Sequence, residues 1–108
     1  MGKGISLLQE QIISWAWKDG GSMLMTEIVQ SWWRLKDGAG PFSRSTVGEE
    51  EYNRVYASIS RSIERLRLRG LIRVFKETTG SPVILVLLTD AGIEMAQWME
   101  KRDATQAQ

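Results

Sequence analysis

Residues 52–92 limit the possible fold of this chain more than any other segment. A long stretch with helical periodicity is followed there by two short apolar runs and by the start of a second helix. Apolar residues recur at three- and four-residue spacing, which places them on one face of a helix. This stripe contains Tyr52, Val55, Tyr56, Ile59, Ile63 and Leu66. Arginines and small residues fall on the opposite face, so we expect a core-facing stripe and an outward arginine face.

Two runs of β-branched or aliphatic residues, 71–76 and 83–88, flank a turn sequence at residues 78–82 and predict a β-hairpin. The second run does not alternate with polar residues, so both of its faces are expected to be covered. Thr89 and Asp90 then begin a C-terminal helix. The predicted order is helix, hairpin and helix.

The N-terminal half predicts two more helices. Ser6 and Gln9 have the spacing of a capping box, and Gly20-Gly21 would end the first helix. Residues 22–25 are a short strand candidate, and Thr26 with Glu27 would cap the second helix. The residues expected to point inward from that helix are Ile28, Val29, Trp32 and Leu35.

Residues 37–45 are rich in glycine, proline and serine and predict a loop. Thr46 to Glu49 has a second capping-box pattern, so the third helix is expected over residues 47–69. The fold class predicted is α+β and mainly α. With 108 residues, of which 43% are apolar, we expect one domain over residues 1–102 and a disordered tail over 103–108.

Composition excludes several function classes. The chain has no cysteine and no histidine, which removes disulfides, thiol chemistry and the commonest metal ligand and general base. We therefore predict no enzyme activity, no metal site and no cofactor. No apolar run is long enough to cross a bilayer and no secretion signal is evident, so we expect a cytoplasmic protein without a membrane partner.

Charge is distributed unevenly along the chain. The net charge is only +1, yet residues 52–76 contain seven basic residues and one acidic residue, Glu64. The remaining residues are acidic in balance. A basic face on an otherwise acidic body would orient the protein on phosphate.

The segments S-I-S-R-S-I-E-R-L at residues 58–66, R-G-L-I at 69–72 and L-T-D-A-G at 88–92 resemble winged-helix transcriptional regulators of the MarR and PadR kind. The resemblance covers about a third of the chain. It implies a three-helix helix-turn-helix core, a β-hairpin wing and a C-terminal helix. It also implies double-stranded DNA as the partner and a role as a transcriptional regulator that reads the major groove with the helix around residues 47–69.

By this resemblance Ser58 and Arg61 match positions that often meet DNA bases, and residues 76–81 match the wing. We assign Ser58, Arg61 and Arg54 to bases, Arg65 and Arg44 to phosphate, and Lys76, Thr78 and Thr79 to the flanking backbone. Arg67, Arg69 and Arg73 are better explained by capping or by ion pairs with Glu64 and Glu77. The acids of residues 49–51 would repel phosphate at the start of the same helix.

Five tryptophans are many for so short a chain. Trp15, Trp32 and Trp98 fit core positions, whereas Trp17 and Trp33 lie off the apolar stripes. In winged-helix regulators the first and last helices often form a dimer, which would bring Trp15, Trp17 and Trp98 to a homodimer interface. An alternative function is a winged-helix protein-interaction module whose arginine face meets an acidic partner without contacting DNA.

Overall fold

The computed structural model describes residues 5–37, 40–77 and 83–106. The fold is α+β and mainly helical, as the sequence predicts, with one small three-stranded antiparallel sheet. In chain order the elements are α1 (Leu7–Lys18), β1 (Ser22–Leu24), α2 (Met25–Asp37), α3 (Arg44–Val47), α4 (Glu49–Leu68), β2 (Ile72–Glu77), β3 (Val83–Leu88) and α5 (Asp90–Gln106).

The first helix begins where the sequence predicts, but the predicted cap of the second helix at Thr26 is wrong, since α2 already begins at Met25. The Ser6 hydroxyl caps α1 by accepting a hydrogen bond from the backbone N–H of Gln9 at 3.2 Å, and α1 ends just before the two glycines. The Gln9 side chain is buried and its Oε1 atom has no hydrogen-bond partner among the described residues. In the first turn of α2, Glu27 Oε1 accepts from the backbone N–H of Leu24 at 3.1 Å.

β3 is the central strand and pairs antiparallel with β1 on one side and β2 on the other. Val86 lies opposite Met23 of β1 and Val74 of β2, so these residues share the inner face of the sheet. Side chains on that face join the buried core, because α1, α2 and α4 pack against the sheet. Leu85 and Leu87 point to the other face and are only half-buried, so β3 is covered more on one side than on the other.

The core confirms the predicted inner stripe of α4. Val55, Ile59, Ile63 and Leu66 are buried, whereas Tyr52 and Tyr56 are half-buried. The stripe packs against residues of α1, α2 and the sheet. The main buried side chains around it are Ile12, Ile13, Ile28, Val29, Leu71, Ile72, Val86 and Leu88.

The start of α4 differs from the prediction. Ser43, not Thr46, begins a helical segment: its side chain accepts from the N–H of Thr46, and the Thr46 hydroxyl accepts from the N–H of Ser43. This capping box caps the N-terminus of the one-turn helix α3. Gly48 then separates α3 from α4 with a φ of 93°, a conformation that glycine adopts without steric cost. The predicted continuous helix from residue 47 is therefore wrong at its first residues.

The turn after α4 is joined to the start of α5. The N–H of Leu71 donates to the Leu66 carbonyl at 3.1 Å, and Gly70 takes a φ of 78°, which ends α4. The Thr89 hydroxyl donates to the carbonyl of Gly70 at 2.6 Å and accepts from the N–H of Gly92 at 3.1 Å. Thr89 thus caps α5 and holds it against the end of α4.

Three further expectations are wrong. Leu35 is 55% exposed, because it lies in the last turns of α2 beyond the packed core, and Trp98 is 49% exposed on α5. The predicted disordered tail over residues 103–108 is helical from Asp103 to Gln106, where α5 ends, and residues 107–108 lie outside the described residues. Within the described residues no helix is long and apolar enough to span a membrane.

We predict that Gly92→Ala destabilises the fold. A Cβ at this position would overlap the backbone carbonyl oxygen of Leu71 and lie 3.2 Å from the Leu88 side chain. Helix propensity alone would make the substitution stabilising by about 1 kcal/mol, whereas overpacking costs about 1–3 kcal/mol. Urea unfolding of Gly92→Ala should show a lower free energy of unfolding than wild type. The exposed Glu94→Ala on the same helix serves as the control, and a stabilised Gly92→Ala would contradict the close contact.

Candidate nucleic-acid interface

The outward face of α4 carries two arginines near its C-terminal half. Arg61 and Arg65 are exposed and four residues apart, so they leave the helix on successive turns of one face. Ser58, one turn before Arg61, is half-buried. In the part of the chain that the structure describes, neither arginine forms an ion pair or a side-chain hydrogen bond. Their charges are therefore available to an external partner.

The arginines near the N-terminal end of α4 are in a different environment. Arg54 forms an ion pair with Glu51 one turn earlier. Arg44 Nη1 lies 3.0 Å from Glu49 Oε2, and the Arg44 guanidinium stacks 4.6 Å from the centre of the Tyr52 ring. Both cations predicted to contact DNA here already have acidic neighbours within the chain.

Arg67 is held by an acid, as the sequence predicts. Its Nε and Nη2 atoms lie 3.0 and 2.5 Å from the two carboxylate oxygens of Glu64. This paired hydrogen bond lowers the pKa of Glu64, to which the charges of Arg67 and Lys76 also contribute, and it raises the pKa of Arg67. The Arg67 charge is thus compensated at the surface.

Lys76 of β2 lies at an open groove between α4 and the sheet. The groove has a volume of about 540 Å³. It is lined by Met25, Ser60, Ile63, Glu64, Arg67, Val74, Lys76 and Ile84. The structure therefore brings Lys76 near the C-terminal half of α4, at the groove that Ser60, Glu64 and Arg67 also line. Thr78 and Thr79, the other two predicted wing contacts, lie outside the described residues.

A stack of aromatic rings secures the N-terminal half of α4, and sequence reasoning missed it. The Phe42 ring lies 5.4 Å from Trp33 and 4.8 Å from Tyr52, and Tyr52 lies 5.7 Å from Tyr56. Burial, with a smaller contribution from Tyr52, raises the pKa of Tyr56. The four-residue spacing of the two tyrosines was the only signal in the sequence, and it did not show that Phe42 and Trp33 join them.

The segment before α3 is also fixed by hydrogen bonds. The Gln30 side chain of α2 accepts from the N–H of Phe42 at 2.8 Å and donates to the Gly40 carbonyl at 3.3 Å. The Thr46 hydroxyl donates to the Pro41 carbonyl at 2.6 Å. This segment therefore packs Phe42 against α4, which orients the helix relative to α2.

The three tryptophans assigned to a dimer interface differ in exposure. Trp15 and Trp17 are half-buried and pack against the core. Trp98 is exposed, and the Arg102 guanidinium lies 5.2 Å from the centre of its ring. Arg102 also forms a two-point hydrogen bond with Glu10, at 3.1 and 3.2 Å, and this bond joins α5 to α1.

No protein-family model matches the chain. A search of the curated proteins finds no match either. Across residues 5–37, 40–77 and 83–106, no group of three or more histidine, cysteine, aspartate or glutamate residues is placed to hold a metal ion. The case for a function therefore rests on the geometry and charge of the surface.

We predict that Phe42→Ala lowers the free energy of unfolding by about 2 kcal/mol, because it removes two ring contacts and opens a space beside α4. Chemical denaturation followed by tryptophan fluorescence measures the change. Leu35→Ala, at an exposed apolar position, is the control and should stay within about 0.5 kcal/mol of wild type. Equal effects of the two substitutions would mean that the aromatic stack contributes little to stability.

Proposed function

We propose that this chain is a winged-helix protein that binds double-stranded DNA and regulates transcription, with α4 entering the major groove and the β2–β3 hairpin acting as the wing. The element order supports the proposal, because α1, α2 and α4 precede a hairpin and α5 follows it. The one-turn α3 lies between the second and third helices of that arrangement. A recognition helix in this position would present its solvent face to the base edges.

The observation that carries the proposal is the pair of uncompensated, exposed arginines at Arg61 and Arg65. Arginine offers a planar set of donors that fits phosphate oxygens and the O6 and N7 atoms of guanine. Ser58 is small enough for close approach to a base edge. Lys76 adds a cation from the sheet, at the groove that borders α4.

The proposal moves the contact surface toward the C-terminal half of α4. The N-terminal half carries Glu49, Glu50 and Glu51, and two of these acids already pair with Arg44 and Arg54. At both arginines a phosphate would be repelled by a carboxylate that is already paired with the guanidinium. We therefore assign Arg44 and Arg54 to pairing within the chain and keep Arg61, Arg65, Ser58 and Lys76 as the DNA contacts.

One observation favours a second function, that of a protein-interaction module. Leu68 is 70% exposed, and helical geometry puts it on the same face as Arg61. A large apolar side chain beside arginines would suit an acidic protein partner with an apolar anchor. Such a partner would bind through Leu68 as well as through the arginines, so Leu68→Ser separates the two functions. It should weaken protein binding strongly and DNA binding little.

The direct test of DNA binding is fluorescence anisotropy of a labelled random duplex titrated with purified protein across a salt series. Each phosphate that is neutralised contributes about −0.9 to the slope of log K against log salt. Three cations per chain predict a slope of about −3 for each bound chain. The absence of binding at low salt would reject the DNA proposal and leave the protein-interaction module as the better explanation.

We predict that Arg61→Ala and Arg65→Ala each reduce the magnitude of this slope by about 0.9 if the side chain holds a phosphate. If Arg61 reads a base, its removal should instead cost about 1–3 kcal/mol of discrimination between sequences. Arg54→Ala is the matched control, since it removes the same charge from the same helix. A larger loss for Arg54→Ala than for Arg61→Ala would contradict the assignment of the surface.

A further inference from the structure

β2 forms one edge of the sheet, because β3 is central and β1 forms the other edge. The N–H of Thr89 donates to the Leu71 carbonyl, which makes these residues a hydrogen-bonded pair beside the β2–β3 ladder. In an antiparallel ladder such pairs alternate along the strand. The backbone groups of Ile72, Val74 and Lys76 therefore point away from β3, toward the open edge.

Among the described residues, no other strand pairs with this edge. A shallow groove of about 450 Å³ follows it. The groove is lined by Arg67, Gly70, Ile72, Arg73, Val74, Phe75 and Thr89. An exposed strand edge with unpaired backbone donors and acceptors is a template for another strand.

The outer face of β2 carries an ordered set of side chains. Arg73, Phe75 and Glu77 alternate with the inward residues, and all three are exposed. Phe75 is 52% exposed and lies opposite Leu85, which itself lies opposite Leu24, so an apolar row crosses the sheet and ends at the open edge. Arg73 and Glu77 form no ion pair with any described residue.

We propose that β2 pairs antiparallel with β2 of a second copy of this chain, about a twofold axis at Phe75. In this register Arg73 lies opposite Glu77 of the partner subunit on both sides of the axis. Phe75 lies beside Phe75 of the partner subunit at a non-hydrogen-bonded position, where opposite Cα atoms are about 4.5 Å apart. Val74 and Lys76 together exchange about four backbone hydrogen bonds with Lys76 of the partner subunit and Val74 of the partner subunit.

The charge pattern favours a second copy as the occupant and, among axes at the outward-facing residues of β2, the one at Phe75. A twofold axis at Arg73 or at Glu77 would place like charges opposite each other, whereas the axis at Phe75 gives two opposite-charge pairs and one aromatic pair. Opposite charges at equal distances on either side of a central aromatic residue are self-complementary, which is the requirement of a twofold interface. An unrelated extended peptide would meet this pattern only by coincidence.

The pairing would join two three-stranded sheets into one continuous sheet. A twofold axis perpendicular to the sheet keeps both inner faces on the same side, so the two α4 helices would lie on one side of the assembly. The interface is small, because one short strand edge supplies it. We therefore expect reversible dimerisation with a Kd on the order of 10–100 μM rather than a permanent dimer.

Sedimentation velocity of the full chain over a concentration series, without DNA, tests the pairing. Arg73→Glu and Glu77→Arg should each weaken dimerisation at least about tenfold, since each change places like charges opposite each other. The double variant Arg73→Glu/Glu77→Arg exchanges the two charges and should restore dimerisation to near the wild-type level. Lys101→Glu on α5 makes the same charge change as Arg73→Glu away from the edge and should leave the Kd unchanged.

A backbone variant tests the edge itself. Val74→Pro should remove dimerisation, because proline lacks the backbone N–H that Val74 directs at the partner. The hydrogen bonds between β2 and β3 should remain, since the Val74 N–H is not among them. Circular dichroism and urea unfolding of each variant must show a folded chain. Wild type that stays monomeric up to about 1 mM, well above the expected Kd, would overturn the proposal. The proposal would also be overturned if Trp98→Ala lost the dimer while Arg73→Glu kept it, or if the double variant Arg73→Glu/Glu77→Arg did not recover dimerisation.

The pairing does not depend on the proposed DNA function. Arg61→Ala and Arg65→Ala should bind duplex DNA more weakly and dimerise normally. Arg73→Glu/Glu77→Arg should dimerise whether or not the protein binds DNA. Failure of the strand pairing and failure of DNA binding are therefore recognised in separate measurements.

Discussion

The contact between Gly92 and the Leu71 carbonyl sets the arrangement of the C-terminal half of this protein. Thr89 reinforces it with hydrogen bonds to Gly70 and Gly92, so the end of α4, the end of the hairpin and the start of α5 meet at one place. With these three points joined, the hairpin leaves α4 in one direction and α5 returns to α1.

Ion pairing differs along α4. Acids and their arginine partners occupy the N-terminal half, and a ring stack holds that half against Phe42 and Trp33. In the C-terminal half Arg67 pairs with Glu64, whereas Arg61 and Arg65 form no ion pair among the described residues, and β2 follows directly. Because adjacent residues of a strand point to opposite faces, Lys76 lies beside α4 while Phe75 faces away from it. The two proposals therefore use different groups of one strand: the Lys76 side chain for phosphate, and the outer side chains and backbone edge for pairing.

Local patterns predicted the elements well where the signal was short-range. The stripe of α4, the span of β3 and the cap at Ser6 were all correct, because period, β-branching and capping act within a few residues. The predicted cap at Thr46 was wrong because two overlapping capping patterns compete there and the Pro41 carbonyl favours the earlier one. Leu35 and Trp98 were wrongly expected to be buried, because periodicity gives the direction of a side chain but not whether another element extends far enough to cover it.

The sequence by itself determined most of the element types, the buried stripe and the excess of positive charge after residue 52, since these follow from composition and spacing. Only the folded structure decided which acid each arginine pairs with. Arg44 and Arg54 pair with Glu49 and Glu51, whereas Arg61 and Arg65 form no ion pair among the described residues: Glu64, one turn from Arg61, pairs with Arg67 instead. An ion pair depends on the distance between two side chains in space, and packing sets that distance.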